Sequence, residues 1–211
     1  MTSLVLGILG FFTCGFTALI GLILGIIALV KVRNSQGALK GNGLALAGVI
    51  VSAIFILMIP LFAAMLLPAI AAGKQKAEEL SCMTNEKQLA LATLMFSASH
   101  TNCFPPATNW CDAIQGNLAN PGAFRCVVAG DGRRCDYAFN SQLGGIAVTR
   151  VAHPAETVLL FESDLGWNGS GGVDAVAGTR HGHGHASIVT FADGHVELVD
   201  QSRLNTLRWE P

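Results

Sequence analysis

Acidic side chains are missing from the first third of this 211-residue chain. Residues 1–72 carry Lys31, Arg33 and Lys40 and no Asp or Glu, whereas residues 73–211 carry ten Lys or Arg and fourteen Asp or Glu. An acid-free apolar segment is therefore joined to an ordinary, slightly acidic soluble part, giving one or two domains in all. Neither part is basic enough to suggest a nucleic-acid partner. The cysteines form no C-x-x-C pair, which argues against a zinc ribbon. Ser163-Asp164 and the histidines can be drawn as a triad, but no G-x-S-x-G surrounds the serine, and no enzyme activity is expected. The apolar run Leu4–Val30 has no basic residue before it and no A-x-A after it, unlike a cleaved secretory signal.

What is present is organised around Gly43 to about His100. From Leu44 to Leu67, 24 residues, the only polar side chain is Ser52. At ~1.5 Å per residue this stretch crosses a hydrocarbon core of ~30 Å. Past Gly73 the composition turns charged. Lys74 and Glu78 lie at i,i+4 and Lys76 and Glu79 at i,i+3, on one exposed helical face. Leu80, Met83, Leu91, Leu94 and Met95 then recur near a 3.6 period, predicting an amphipathic helix that continues the span without a clear break. Pro60 and Pro68 are expected to kink it.

Leu4–Val30 reads as an earlier span, long enough to need a tilt or a kink near Cys14-Gly15. Gly21 and Gly25, and Gly48 and Ser52, place small residues four apart, a spacing that lets helices pack closely in lipid. The connecting loop, residues 31–43, has three cations and no anion, which places it in the cytoplasm and both termini outside. The expected division is a two-span transmembrane hairpin over 1–67 and an extracytoplasmic α+β domain over 68–211. That domain has a spine helix at about 69–100 and a sheet with loops over 101–211. The lipid bilayer is the expected partner. Cys82, Cys103, Cys111, Cys126 and Cys135 are disulfide candidates in such a compartment. Cys103 and Cys111, in a polar loop, read as partners, and the connectivity is otherwise open. Five is odd, so a thiol stays unpaired or links chains in a homo-oligomer.

Cys135–Phe139 predicts a short strand and Thr157–Phe161 a buried central one. Trp167–Gly178 reads as an exposed loop. Ala186–Phe191 and His195–Val199 flank Asp193-Gly194, whose two residues both tolerate positive φ, so a hairpin is expected. Ile188 and Thr190 belong to one of its faces and Val189 and Phe191 to the other.

His181, His183 and His185 alternate with glycines. On a strand they point to one side, with His195 near across the hairpin and Asp193 adding a carboxylate, a set suited to zinc or copper. Flexible glycines do not preorganise a site, so a structural histidine is the favoured reading. Calcium is the other alternative, through Glu162, Asp164 and Asp174, although their spacing matches no calcium loop. No cofactor is expected, with zinc or calcium as the exceptions.

Residues 1–60 resemble a small bacterial membrane family of unknown function, through Leu24-Gly-Ile-Ile-Ala-Leu29, Lys31-Val-Arg33 and Gly41-Asn-Gly-Leu-Ala-Leu-Ala-Gly48. Residues 60–199 resemble pilin-like proteins whose C-terminal signature is His, nine residues, Asp-Gly. Here these are His183 and Asp193-Gly194. Leu66-Leu67-Pro68-Ala69 with Lys74 and Lys76, Ser81-Cys82-Met83-Thr84-Asn85-Glu86-Lys87-Gln88-Leu89, and His153-Pro154-Ala155-Glu156-Thr157-Val158-Leu159 match further pieces in order. The resemblance implies a spine helix on a small antiparallel sheet, related to type II secretion pseudopilins, with no enzyme activity. It implies a structural or interaction role as an accessory of a secretion or pilus-like system in the bacterial inner membrane. An envelope sensor or metal-binding module using the His-rich loop is the alternative. The two-span module stands where the family has a prepilin leader. Gly15-Phe16-Thr17 imitates the cleavage site, but Ile20 stands where Glu is required and no Lys or Arg precedes Gly15. An uncut chain that stays in the membrane as anchor, initiator or regulator is expected.

Overall fold

The computed structural model describes residues 16–34, 42–130 and 132–211. Cys14, Gly15, the start of the first expected span and loop residues 35–41 with Lys40 lie outside them. The chain divides into two compact units, Met1–Gly73 and Lys74–Pro211.

The first unit holds α1, Phe16–Asn34, and the start of α2, Asn42–Ser99. α2 is one helix of 58 residues with Pro60 and Pro68 inside it. Among the described residues it is the helix long and apolar enough to cross a membrane. Leu57, Met65 and Leu67 leave 69, 68 and 66% of their surface uncovered. In water that exposure is unfavourable by ~25 cal/mol per Å², so the surface suits hydrocarbon. Among the described residues the buried positions of this unit are small: Gly21, Gly25, Ala45, Gly48 and Ser52. They include the four small residues singled out by their spacing. Lys31 and Arg33 are exposed in the last turn of α1.

In the second unit α2 turns a buried stripe inward: Glu79, Cys82, Glu86, Leu89, Ala90, Thr93 and Ser97. Steps of three and four residues make this one helical face. It is not the face expected from the leucines. Leu80, Leu91 and Met95 are about half exposed, while Met83 and Leu94 pack at the margin. The inward face carries small and polar side chains with local partners. Thr93 Oγ1 donates to Leu89 O at 2.8 Å and Ser97 Oγ to Thr93 O at 3.0 Å.

The short helix α3, Trp110–Ile114, precedes a five-stranded sheet. Its strands are β1 Tyr137–Asn140, β2 Val158–Glu162, β3 Ser170–Gly171, β4 Ala186–Phe191 and β5 Val196–Asp200, in the order β3-β1-β2-β4-β5. β2 is central and buried throughout, as its unbroken apolar run predicts. The sheet is mixed rather than wholly antiparallel, because β3 runs parallel to β1. β3 comes from the stretch expected to be an exposed loop. That stretch is drawn in at Gly169, whose carbonyl accepts from Trp110 Nε1 at 2.8 Å and from Phe139 N at 3.0 Å.

Both faces of the sheet are covered. Ile188 packs with Cys82, Leu89, Trp110, Phe139 and Leu160 on the α2 side. Val189 and Phe191 pack with Val158, Phe161, Val199 and Leu204 on the other, which separates the alternating residues as expected. The second face is closed by α4, Gln201–Leu204, and the tail after it. Trp209 meets Phe161 edge-on at 5.1 Å, and Val158 N donates to Arg208 O at 2.9 Å.

The β4–β5 turn differs in type from the one expected. Gly194 has φ +86°, while Asp193 is not among the positive-φ residues. Phe191 O accepts from Gly194 N at 2.8 Å, and Phe191 N donates to His195 O at 2.9 Å. This is a three-residue loop with glycine in the left-handed position. Lys87 Nζ ties the turn to α2 by donating to Gly194 O at 2.6 Å. A Cβ at position 194 would sit 3.1 Å from Leu94 Cδ1. Gly194→Val should therefore lower stability by ~1–3 kcal/mol through backbone strain and crowding together. Urea denaturation of the full-length protein in detergent measures this, and an unchanged midpoint would contradict the turn geometry.

Candidate functional site

The densest chemistry in the second unit is a buried polar cluster between α2 and the sheet. Cys82 and Glu86 lie four residues apart on α2, so both point at the sheet, and both are fully buried. Glu162 closes β2, Thr190 lies on β4 and Tyr137 on β1, all without exposed surface. Cys126 and His181 come from loops and are 1 and 3% exposed.

Asp136 holds both loops in place. Its Oδ2 accepts from Cys126 N at 3.0 Å and from Arg125 Nε at 2.9 Å. Its main-chain oxygen accepts from Arg180 Nη1 at 3.2 Å. Arg125 and Arg180 immediately precede Cys126 and His181, so one fully buried aspartate seats both.

The contacts inside the cluster are short. Cys82 and Cys126 form a disulfide with Cα atoms 5.1 Å apart. His181 Nε2 lies 3.5 Å from Cys126 Sγ and 3.0 Å from Glu162 Oε1. Glu162 Oε2 accepts from Ile188 N at 3.0 Å. Thr190 Oγ1 donates to Glu86 Oε2 at 2.5 Å, and Glu86 Oε1 has no hydrogen-bond partner. Burial pushes the Glu86 carboxyl well above its ordinary range, and the charge of Glu162 adds to this, against the Thr190 hydrogen bond. Burial likewise raises the Tyr137 phenol, with Glu86 and Glu162 contributing.

Among the described residues Cys103, Cys111 and Cys135 are thiols. The expected Cys103–Cys111 pair does not form. Cys103 bridges to Ala147, whereas Cys111 is buried in α3. Burial pushes the Cys111 thiol upward, followed by its hydrogen bond with Cys135.

The histidines part company. Gly182, His183 and Gly184 have φ of +56°, +60° and +83°, a tight turn rather than a strand. His181 N donates to Ala186 O at 3.0 Å and Gly184 N to His181 O at 2.9 Å. His181 is thereby buried while His183 and His185 are exposed. The buried, hydrogen-bonded histidine is position 181, where the motif spacing pointed to 183. His195 stacks on Phe191 at 4.3 Å and bonds Asp193, with Nδ1 to Oδ1 at 2.6 Å and N to Oδ1 at 2.9 Å. Burial alone would raise the Asp193 carboxyl, but these bonds hold it below its usual range. His195 and Asp193 thus brace the turn.

The suggested calcium donors are dispersed. Glu162 is engaged within the cluster, Asp164 pairs with Arg133 at 2.7 Å and with Arg180, and Asp174 is exposed. Ser163 Oγ donates to Ala175 O at 2.6 Å, so the serine and the histidines form no relay. Among the described residues, one group of three His, Cys, Asp or Glu side chains brings its ligand atoms within 4.8 Å of one another: Cys82, Cys126 and His181. Sequence reasoning singled out each of the three but did not join them. It passed over Glu86 and Asp136. The signal for Glu86 was an acid one turn from Cys82 in an otherwise helical pattern.

Residues 1–62 match a family described as a domain of unknown function, DUF4190. That match ends before the globular unit begins. No curated protein and no solved structure matches the chain.

Two predictions test the cluster. His181→Ala leaves Glu162 buried with one donor and should lower stability by ~3 kcal/mol. His183→Ala, at an exposed turn, should change it by less than ~0.5 kcal/mol. Denaturation of both variants in detergent compares them, and equal losses would contradict the assignment. The second concerns pH. A carboxyl raised in the folded state stabilises the fold fully below its unfolded value, 4.5, and this contribution is lost as pH rises through the folded value. Wild-type stability should fall as pH rises from 4.5 to neutrality. Glu86→Gln should flatten that slope, and parallel curves for the two proteins would refute the protonated, buried Glu86.

Proposed function

We propose that the protein is a membrane-anchored, pilin-like structural or interaction protein, an accessory of a type II secretion or pilus-like system rather than an enzyme. The observation that carries this reading is α2. One unbroken helix contains both an apolar stretch suited to hydrocarbon and the stripe that docks the sheet. In this reading α1 and the first part of α2 form a two-span hairpin in the bacterial inner membrane, with their small buried residues at the contact. Lys31, Arg33 and Lys40 face the cytoplasm. The globular unit lies outside, where its disulfide is stable. The half-exposed Leu80, Leu91 and Met95 give α2 an apolar outer face for protein contacts.

Alkaline phosphatase fused after Pro211 should be active and fused at Gln36 inactive, and the reverse pattern would overturn the topology. Cross-linking in intact membranes, read by mass spectrometry, should join α2 to assembly proteins of a secretion or pilus-like machine. Cross-links confined to unrelated membrane proteins would overturn the accessory role. A metal-binding module is the second reading, and the convergence of Cys82, Cys126 and His181 favours it over the exposed histidines.

A further inference from the structure

We propose that Cys82, Cys126 and His181 form a buried zinc site that the Cys82–Cys126 disulfide locks shut and reduction opens. Glu162 supplies the fourth donor. The inference stands independently of any role in secretion.

Geometry is the first support. A tetrahedral zinc ion holds sulfur at about 2.3 Å and imidazole nitrogen at about 2.0 Å, which places the two ligands ~3.5 Å apart. Cys126 Sγ and His181 Nε2 are 3.5 Å apart. All three ligand atoms fall within 4.8 Å of one another. The carboxylate is the second support. Glu162 Oε1 lies 3.0 Å from the same Nε2 atom. When that nitrogen turns to a cation, Glu162 Oε1 loses its partner in a buried place, while Oε2 keeps Ile188 N. Moving onto the cation is what restores one. The seating is the third. Asp136 accepts from the Cys126 backbone N–H, and its carbonyl accepts from the side chain of Arg180, the residue before His181, so neither anchor depends on the sulfurs being joined. Cys82 is held by α2 itself. Structural zinc sites are closed, four-coordinate and built from such thiolate and imidazole ligands. Thiolates favour zinc over calcium or magnesium.

The chemistry balances. A dithiol reductant transfers two electrons and two protons to the Cys82–Cys126 bond and is itself oxidised to a disulfide. The S–S bond breaks and two thiols form. Zinc then displaces the two thiol protons to solvent and binds both sulfurs, while the proton on His181 Nε2 shifts to Nδ1 and the freed nitrogen passes from Glu162 to the metal. The sulfurs need to separate to only ~3.8 Å, the span of two thiolates on one tetrahedral zinc. A small-molecule disulfide takes the two electrons back by thiol–disulfide exchange, is itself reduced to two thiols, and the re-formed Cys82–Cys126 bond releases the ion. The site therefore reads thiol redox state as metal occupancy.

The test uses the full-length protein in detergent. One sample is oxidised and the other reduced with a phosphine. Both are titrated with Zn²⁺ against a chromogenic chelator and with Co²⁺ for its spectrum. The reduced protein should take up one equivalent of zinc, and its cobalt form should show thiolate charge-transfer bands with tetrahedral visible bands. The oxidised protein should take up none. Cys126→Ser and His181→Ala should each weaken binding at least ~100-fold, beyond the loss expected from an outer-sphere change. His183→Ala with His185→Ala should bind as wild type does. Because His181→Ala is also expected to destabilise the fold, His181→Cys provides a second check. It should retain zinc and strengthen the cobalt charge-transfer band. Equal uptake by oxidised and reduced protein overturns the proposal. So does uptake that survives Cys126→Ser and His181→Ala, or that is lost with His183 and His185. A reduced chain that unfolds and does not regain structure with zinc overturns it as well.

Discussion

Burying a carboxyl group between a helix and a sheet constrains everything around it. Glu86 has no exposed surface and one hydrogen-bond donor, Thr190. An ionised carboxylate there would cost several kcal/mol, so burial favours the protonated form and holds its neighbours to a narrow arrangement. Sliding α2 along the sheet by one residue would swing Glu86 through ~100° and leave Thr190 without its acceptor. The same constraint orients Cys82, one turn earlier, toward Cys126. It also explains why the leucines of this stretch face outward: the inward face is reserved for side chains that fit the close approach and satisfy it.

A second buried acid solves a different problem. Long loops deliver Cys126 and His181, and neither belongs to a regular element. Asp136 collects a backbone N–H and guanidinium groups of Arg125 and Arg133, and its own carbonyl takes Arg180. Charge-assisted hydrogen bonds thereby supplement the single bridge of His181 to Ala186 in setting the loop geometry.

Some of this was legible in the residues. The unbroken run Val158–Phe161 announced a central strand, and the alternation through Ile188, Val189, Thr190 and Phe191 separated the two faces correctly. The α+β class and the long apolar helix followed from composition and period. The inward face of α2 did not, because periodicity weighs Leu80 and Leu91 as core and Glu86 as a gap, and only a partner on the sheet reverses that ranking. The parallel strand β3 was hidden as well. Its two residues, Ser170 and Gly171, have no strand signature, and tertiary hydrogen bonds to Phe139 and Trp110 create it. The histidines misled for a related reason. Alternation suggests a strand, but glycines on either side of His183 favour left-handed backbone, and the resulting turn leaves 181 buried and 183 exposed.

The contact between α2 and β4 has a consequence in time. Thr190 and Glu86 are 104 residues apart, and Lys87 and Gly194 are separated by 107. During synthesis at ~5–20 residues per second, α2 emerges roughly 5–20 s before the strand that completes its inner face. Cys126 arrives sooner, 44 residues after Cys82, so the sulfur pair can close on a helix that has not yet met the hairpin. The nascent chain thus passes through a stage with a tethered helix, a closed loop and an unsatisfied Glu86. Long-range closure by residues 186–199 is then the slow and decisive step.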